Sequence, residues 1–272
     1  MPDILLTGMP RSGTTLATLI LNQQSDTIAL AEPIALERHG DRPRAVDEVR
    51  RFIDETRRAA LAHSPLVSKH VDGRLTDNWV EEPNDDGRLR RVIEQRGEIA
   101  FDTVLGADFT LIVKHPAEFT ALADLLVEHF PLFAVVRDPL AVLAAWQTVD
   151  MPVNRGHMPM AEAFAPELQA RLAGIEQPLK RQVALIEWQL TTYRALPRTN
   201  VLRYEDIAEN PAATLHPLVA IDPSTPRYSL YDPVSRYPGV DFRALLDALT
   251  PLESLIELFY PDFSERWSTR LY

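Results

Sequence analysis

Residues 4–15 read Ile4-Leu5-Leu6-Thr7-Gly8-Met9-Pro10-Arg11-Ser12-Gly13-Thr14-Thr15, and an apolar helical pattern follows at Leu16, Leu19 and Ile20. A short strand runs into a glycine-bounded turn, and the turn runs into a helix N-terminus. Such a turn aims backbone N–H groups and the positive end of a helix dipole at one place, which then favours phosphate. Gly8 and Gly13 stand at the two glycine positions of a P-loop. Thr14 occupies the position of the usual lysine, and the cation comes three residues earlier, at Arg11. The plainer alternative is a Gly/Ser turn that only joins strand to helix.

Working outward, apolar runs alternate with helical patterns. Strands are expected at about 3–7, 27–31, 65–70, 109–113, 132–136 and 199–203. Helices are expected at about 14–23, 37–63 and 116–129, from 139 and at 178–195, with two short ones at 241–249 and 251–259. Asp138-Pro139 is a helix start, with Asp as N-cap and Pro in the first turn. Residues 71–97 are polar and carry a turn signal at 81–87, so they read as an insertion or lid. The proline-rich stretch 151–177 reads as a mobile segment. Strands alternating with helices imply an α/β fold of three layers, a central parallel sheet flanked by helices. A single domain over 1–272 is expected, with a lid or substrate insertion around 35–100.

The net charge of −11 gives no general attraction to nucleic acid or to an anionic membrane surface. An anionic ligand must therefore be held by a local basic pocket. Cysteine is absent, which excludes disulfides and thiolate metal sites. With no leader pattern and no apolar run of spanning length, a soluble cytoplasmic protein is the expectation. The seven histidines show no metal-ligand spacing, and no metal is expected. The sequence assigns neither an oligomeric state nor an acceptor.

Three lysines stand against 25 arginines, and two of the lysines close apolar runs just before a histidine, in Lys69-His70 and Lys114-His115. Strand ends are where open α/β sheets place ligand groups. Arg137 ends the run Phe133-Ala134-Val135-Val136 immediately before the Asp138-Pro139 cap. It reads as a second phosphate contact, with a sheet-edge ion pair as the alternative. The arginines at 88–91 read as a solvated face, with a lid contact to an anionic substrate as the alternative, and Trp188 reads as core.

Taken together these residues resemble the sulfotransferase family of bacterial, P-loop type. Gly-Met-Pro-Arg-Ser-Gly-Thr-Thr is similar to its 5′-phosphosulfate loop, and Val-Val-Arg-Asp-Pro to its 3′-phosphate motif. Lys114-His115-Pro116, Leu202-Arg203-Tyr204-Glu205-Asp206 and Asn210-Pro211 add to the likeness, which runs from residue 4 to about 215 and is patchy across 35–105. The resemblance implies an enzyme that moves a sulfuryl group from 3′-phosphoadenosine 5′-phosphosulfate (PAPS) to a hydroxyl or amine of a small-molecule acceptor, leaving 3′,5′-adenosine bisphosphate. It implies that Arg11, Ser12, Gly13, Thr14 and Thr15 hold the 5′-phosphosulfate and that Arg137 holds the 3′-phosphate. It further implies Arg11 and Lys114 as cations for the transfer, and Glu32, ahead of His115, as the base. Adjacent residues on a strand point to opposite faces, so Lys114 and His115 are not expected to face one ligand together. Lys69 and His70 lie off the family pattern and read as structural or substrate-lining.

The chain departs from that pattern at two places. The family carries a serine eight residues after the 3′-phosphate arginine, and this chain has Ala145. The family's Gly-rich C-terminal segment has no counterpart, with Arg227 or Arg236 as substitutes. Two other readings stay open: a nucleotide-binding relative without sulfotransfer, and a small-molecule kinase.

Overall fold

The computed structural model describes residues 3–82, 88–101 and 103–271. Its centre is a five-stranded parallel sheet of β1 (Ile4–Gly8), β2 (Thr27–Ala31), β5 (Thr110–Lys114), β6 (Leu132–Val136) and β7 (Val201–Arg203), in the order β2-β5-β1-β6-β7. β3 (Leu66–His70) and β4 (Gln95–Ile99) form a separate antiparallel ribbon.

Both faces of the main sheet are covered, which is why its strands are apolar throughout rather than alternating. Ile4, Leu6, Ile112, Phe133 and Val135 face helix α1 (Thr14–Asn22) and the short helices at 204–209 and 211–215. Leu5, Leu111, Val113, Ala134 and Val136 face the other way, into the larger core. That core takes in α2 (Arg42–Leu61), the Pro139–Gln147 and Pro178–Arg194 helices and the C-terminal helices. α2 starts at Asp41, whose carboxylate accepts from the Arg44 N–H, and buries Val46, Val49 and Ile53.

Every expected strand is present, but β3 is not part of the main sheet. It pairs with β4, whose residues Gln95-Arg96-Gly97-Glu98 gave no apolar signal. The ribbon is pinned beside β2 by the buried Ser68 hydroxyl, which accepts from the Ala31 N–H at 3.0 Å. The 116–129 helix is two short pieces, Glu118–Ala121 and Ala123–Leu126, and a further helix closes the chain at Phe263–Leu271. The stretch 151–177 is not a loose segment: it holds a 3₁₀ turn at Pro152–Arg155 and helices at Pro159–Phe164 and Pro166–Ala173, with Phe164, Leu168 and Leu172 in the core. Each of these elements starts with a proline, which suits a first helical turn. The turn read at 81–87 falls largely outside the described residues, and α2 shows that much of 35–100 belongs to a core layer. Among the described residues no helix is long and apolar enough to cross a membrane.

The chain leaves β1 toward β2 and leaves β6 toward β7, so the connections diverge between β1 and β6. Parallel sheets open a crevice at the carboxyl ends of strands at such a point. Arg11, Glu32, Arg137 and Tyr204 all follow carboxyl ends in this sheet, and Lys114 is the last residue of β5.

Candidate active site

The turn after β1 is tightly determined. A Cβ on Gly8 would lie 2.5 Å from the Val135 carbonyl oxygen, and one on Gly13, at φ 91°, would lie 2.2 Å from Tyr204 Cδ2. Only glycine fits either position. Arg11 has φ 70°, a left-handed conformation that is costly for a side-chain-bearing residue. α1 then begins with no side-chain cap and no acidic residue in its first turn, so its N-terminal N–H groups and dipole are left for a ligand. Trp146 donates from Nε1 to the Pro10 carbonyl at 2.9 Å and fixes the turn against the helix behind it.

Two cavities meet at this turn. The first, of about 330 Å³, is walled by Gly13, Tyr204 and five arginines: Arg11, Arg90, Arg137, Arg227 and Arg236. The second, of about 200 Å³, is walled by Trp79, Val80, Met151, Met158 and Met160, with Glu32, Lys69 and Lys114 at its charged end. Arg11, Thr14 and Thr15 line both.

In the first cavity Arg11 donates to Asn78 Oδ1 at 2.9 Å, and Arg137 donates to the Arg11 carbonyl at 3.2 Å while its guanidinium stands 4.8 Å from the Tyr204 ring centre. Burial, with the nearby Arg90 and Arg137 charges, brings the Arg11 guanidinium down to about 10. Burial would push the Tyr237 phenol up, but Arg137, Arg90 and Arg11 together draw it below its ordinary value. Glu205 accepts from the Asp138 N–H at 3.1 Å and from the Tyr260 hydroxyl at 2.7 Å, so it ties the segment after β7 to the start of the Pro139–Gln147 helix. Asp138 caps that helix through the Leu140 and Ala141 N–H groups and is held by Trp267 Nε1 at 2.8 Å.

In the second cavity charges run in an alternating chain. Lys114 Nζ lies 2.8 Å from Glu32 Oε1, Lys69 Nζ lies 2.7 Å from Glu32 Oε2, and Lys69 also lies 2.8 Å from Glu94. Both ammoniums stand over the Trp79 ring, at 4.1 Å for Lys114 and 5.4 Å for Lys69. Burial alone would raise the Glu32 carboxyl, but Lys114 and Lys69 outweigh it and bring the group down to about 2. Burial pulls Lys114 down against the opposing pull of Glu32. Burial also works against charged Lys69, but Glu32 and Glu94 leave it above its ordinary value. Like Arg11, Glu32 has a left-handed backbone, at φ 48°.

The expected site residues are therefore gathered, with two exceptions. Ser12 is fully buried; its hydroxyl donates to the Val135 carbonyl at 2.8 Å and its N–H to Met9 O at 3.0 Å. Both of its donors anchor the loop to β6 and to itself, and the residue lines neither cavity. His115 also lines neither: its Nε2 accepts from the Ile34 N–H at 3.1 Å, and its ring packs 5.0 Å from Phe119. The strand alternation that turns Lys114 to the cavity turns His115 into the fold.

Lys69 lines the second cavity as a partner of Glu32. The reading of 88–91 as a solvated face fails at Arg90, which is 3% exposed. His157 carried no sequence signal, yet it lines the second cavity, held between Glu162 at 3.2 Å and Arg181 at 3.1 Å. The clustering of Met151, Met158 and Met160 around it was the available clue. Arg227 and Arg236 both reach the first cavity. Ala145 is fully buried in the core. Among the described residues no group of three or more His, Asp or Glu side chains is arranged to hold a metal ion.

The fold and site define a parallel α/β protein with a basic cleft joined to a smaller apolar cavity by one glycine-bounded turn. A model of the sulfotransferase family matches residues 2–221, and the chain belongs to that family. It is a transferase whose chemistry is sulfuryl transfer. Among solved structures, the sulfotransferase domain from the curacin biosynthetic pathway is 17% identical over 94% of this chain and 90% of that one, with a TM-score of 0.38. A sulfotransferase from Alicyclobacillus acidocaldarius is 14% identical over 95% of each chain, with a TM-score of 0.40. No curated protein matches the chain.

Proposed function

We propose that the protein takes its sulfuryl group from PAPS, bound in the arginine-lined cleft, and delivers it to a hydroxyl of a small molecule in the methionine-lined cavity. The observation that carries this reading is the sharing of Arg11, Thr14 and Thr15 by the two cavities, since a group held there is open to both sides. Gly13, Thr14, Thr15 and Arg11 hold the phosphosulfate end, with the uncapped start of α1 supplying N–H groups. Arg137 holds the phosphate at the nucleotide's other end, where the forked guanidinium suits it. PAPS supplies an activated sulfuryl group: the acceptor oxygen bonds to sulfur, the bond to the phosphate oxygen breaks, and 3′,5′-adenosine bisphosphate leaves.

The chain's own groups manage charge and proton. Arg11 and Lys114 stabilise negative charge on the transferring group and on the departing oxygen. Glu32 takes the acceptor's proton. While Lys114 and Lys69 hold both of its oxygens, Glu32 is a poor base. Lys114 therefore has two alternative anionic partners, Glu32 and the sulfuryl oxygens, and turning to the second frees Oε1 for the proton. The cavity of about 200 Å³ is smaller than the roughly 300–1,000 Å³ of drug-sized sites, which suits a small acceptor.

Calorimetry tests the donor assignment. The bisphosphate is expected to bind more tightly than ADP, and without magnesium. Tighter binding of ADP that requires magnesium would point to a kinase, and bisphosphate binding without transfer to any hydroxylated acceptor would point to a nucleotide-binding relative.

A further inference from the structure

Arg90 comes from a part of the chain that no motif covers, yet it stands in the wall of the arginine-lined cleft. Its position is built rather than incidental. The Arg90 N–H donates to the Thr148 carbonyl at 2.9 Å and the Arg90 carbonyl accepts from the Asp150 N–H at 2.9 Å, which stitches this segment to the end of the Pro139–Gln147 helix. Its guanidinium donates to Thr148 Oγ1 at 2.6 Å, and that hydroxyl donates in turn to the Ala145 carbonyl at 2.9 Å. A cation is favoured at a helix C-terminus, which accounts for part of the tolerance of a buried charge here.

That tolerance is incomplete. Among the described residues Arg11, Arg90 and Arg137 have no carboxylate within ion-pair distance; the acidic group that pairs at this cleft, Glu82, bonds Arg236 at 2.5 Å. Tyr237 is the neighbour that all three share: its ring centre is 5.2 Å from the Arg90 guanidinium, and its phenol is drawn toward ionisation by Arg137, Arg90 and Arg11. Buried charges without counterions are costly, and a multiply charged anion relieves that cost.

The segment that carries Arg90 also has a second face. Residues 77–82 and 88–94 form a strap closed by the Val80–Val92 bridge, with Glu81 N–H donating to Arg91 O at 3.0 Å and Ile93 N–H to Trp79 O at 2.8 Å. Asn78 and Arg90 look into the arginine-lined cleft, while Trp79, Val80, Val92 and Glu94 wall the methionine-lined cavity. Asn78 joins the two faces, accepting from Arg11 and donating to Val80 O at 2.7 Å.

We propose that Arg90 is a third donor-binding guanidinium beside Arg11 and Arg137, and that its bond to the donor fixes the strap that walls the acceptor cavity. The proposal rests on the reading that the arginine-lined cleft takes PAPS. The nucleotide then completes the acceptor site from the far side of the strap, so donor and acceptor bind with positive coupling, and the coupling is reciprocal.

The test uses the full chain and 3′,5′-adenosine bisphosphate as probe, with calorimetry for affinity and amide hydrogen exchange for the strap. Arg90→Met is expected to weaken the bisphosphate about 10- to 100-fold, the scale of lost hydrogen bonds to a charged group. Arg90→Lys, which keeps the charge but not the fork, is expected to lose less. In the wild type the bisphosphate is expected to slow exchange across 77–82 and 88–94. In Arg90→Met that protection is expected to be missing even at saturating ligand. Should Arg90→Met fail to fold, Arg90→Lys alone decides: wild-type affinity in it with unchanged strap protection overturns the proposal. So does wild-type affinity in Arg90→Met, or full strap protection in it at saturation. A wild type that does not bind the bisphosphate at all removes the donor assignment itself, a different result from binding that ignores residue 90.

Discussion

The arginine-lined cleft and the methionine-lined cavity share Arg11, Thr14 and Thr15 but differ in how their charges are answered. In the cavity, two lysines and two glutamates alternate within ion-pair distance, so the charged end is neutral before any ligand arrives. In the cleft, Arg11, Arg90 and Arg137 have no such carboxylates among the described residues, and Tyr237 is what stands among them. One side is thus electrically complete and the other awaits its counterion. On the proposed reading, a charged ligand belongs to the incomplete side, and recognition on the complete side rests on shape and apolar contact. Met151, Met158 and Met160 suit that role, since methionine packs adaptably.

Arg11 belongs to both sides, and its loss should have the largest effect. Arg11→Ala is expected to lower sulfuryl transfer to a panel of hydroxylated acceptors by about 10²- to 10³-fold or more, the scale of removing one charge-stabilising group; wild-type rates would take Arg11 out of the mechanism. Lys114→Met breaks the balance of the complete side. Lys114 is 1% exposed, and its removal leaves Glu32 with one ammonium, so unfolding free energy is expected to fall by about 3 kcal/mol in denaturant titrations. A loss no larger than that of an exposed ion pair would mean that the chain of charges is loosely coupled.

Arg137→Ala deepens the contrast on the incomplete side. Bisphosphate affinity is expected to fall about 10-fold or more while ADP, which lacks the 3′-phosphate, changes little. Equal losses for both nucleotides would place Arg137 elsewhere on the ligand. The same chain of charges gives the stability a pH dependence. Glu32 titrates at about 2 in the fold against an ordinary 4.5, so its stabilising contribution is complete above the ordinary value and is lost as pH falls from there toward about 2. Between pH 6 and 3 the wild type should lose more stability than Glu32→Gln, and parallel curves would contradict the shift. Assayed beside Glu32→Gln, His115→Ala should keep most of the transfer rate, because His115 lines neither cavity.

Much of this architecture can be read from local pattern. The strand–turn–helix at 4–22 carries its two glycines at fixed spacing, and Asp138-Pro139 carries both signals of a helix start. The opposed directions of Lys114 and His115 follow from strand alternation alone. What escaped were features made by distant partners. β4 is polar because its role is to pair with β3, and no periodicity marks it. Arg90 sits among charged neighbours that look like surface, and its burial depends on Thr148, 58 residues away. His157 lies in a proline-punctuated stretch whose helices are too short to show a period. Ser12 matched a motif, but its hydroxyl is used on the carbonyl of Val135, which only the packing of β6 against the loop reveals.

On the proposed mechanism, the left-handed backbone at Arg11 (φ 70°) sets durability against catalysis at one residue. Arg11→Gly would relax a strained torsion and remove a buried cation at once, and both changes favour the folded chain. Such a protein is expected to outlast the wild type on heating while transferring about 10²- to 10³-fold more slowly. Stability alone therefore does not account for an arginine at this position.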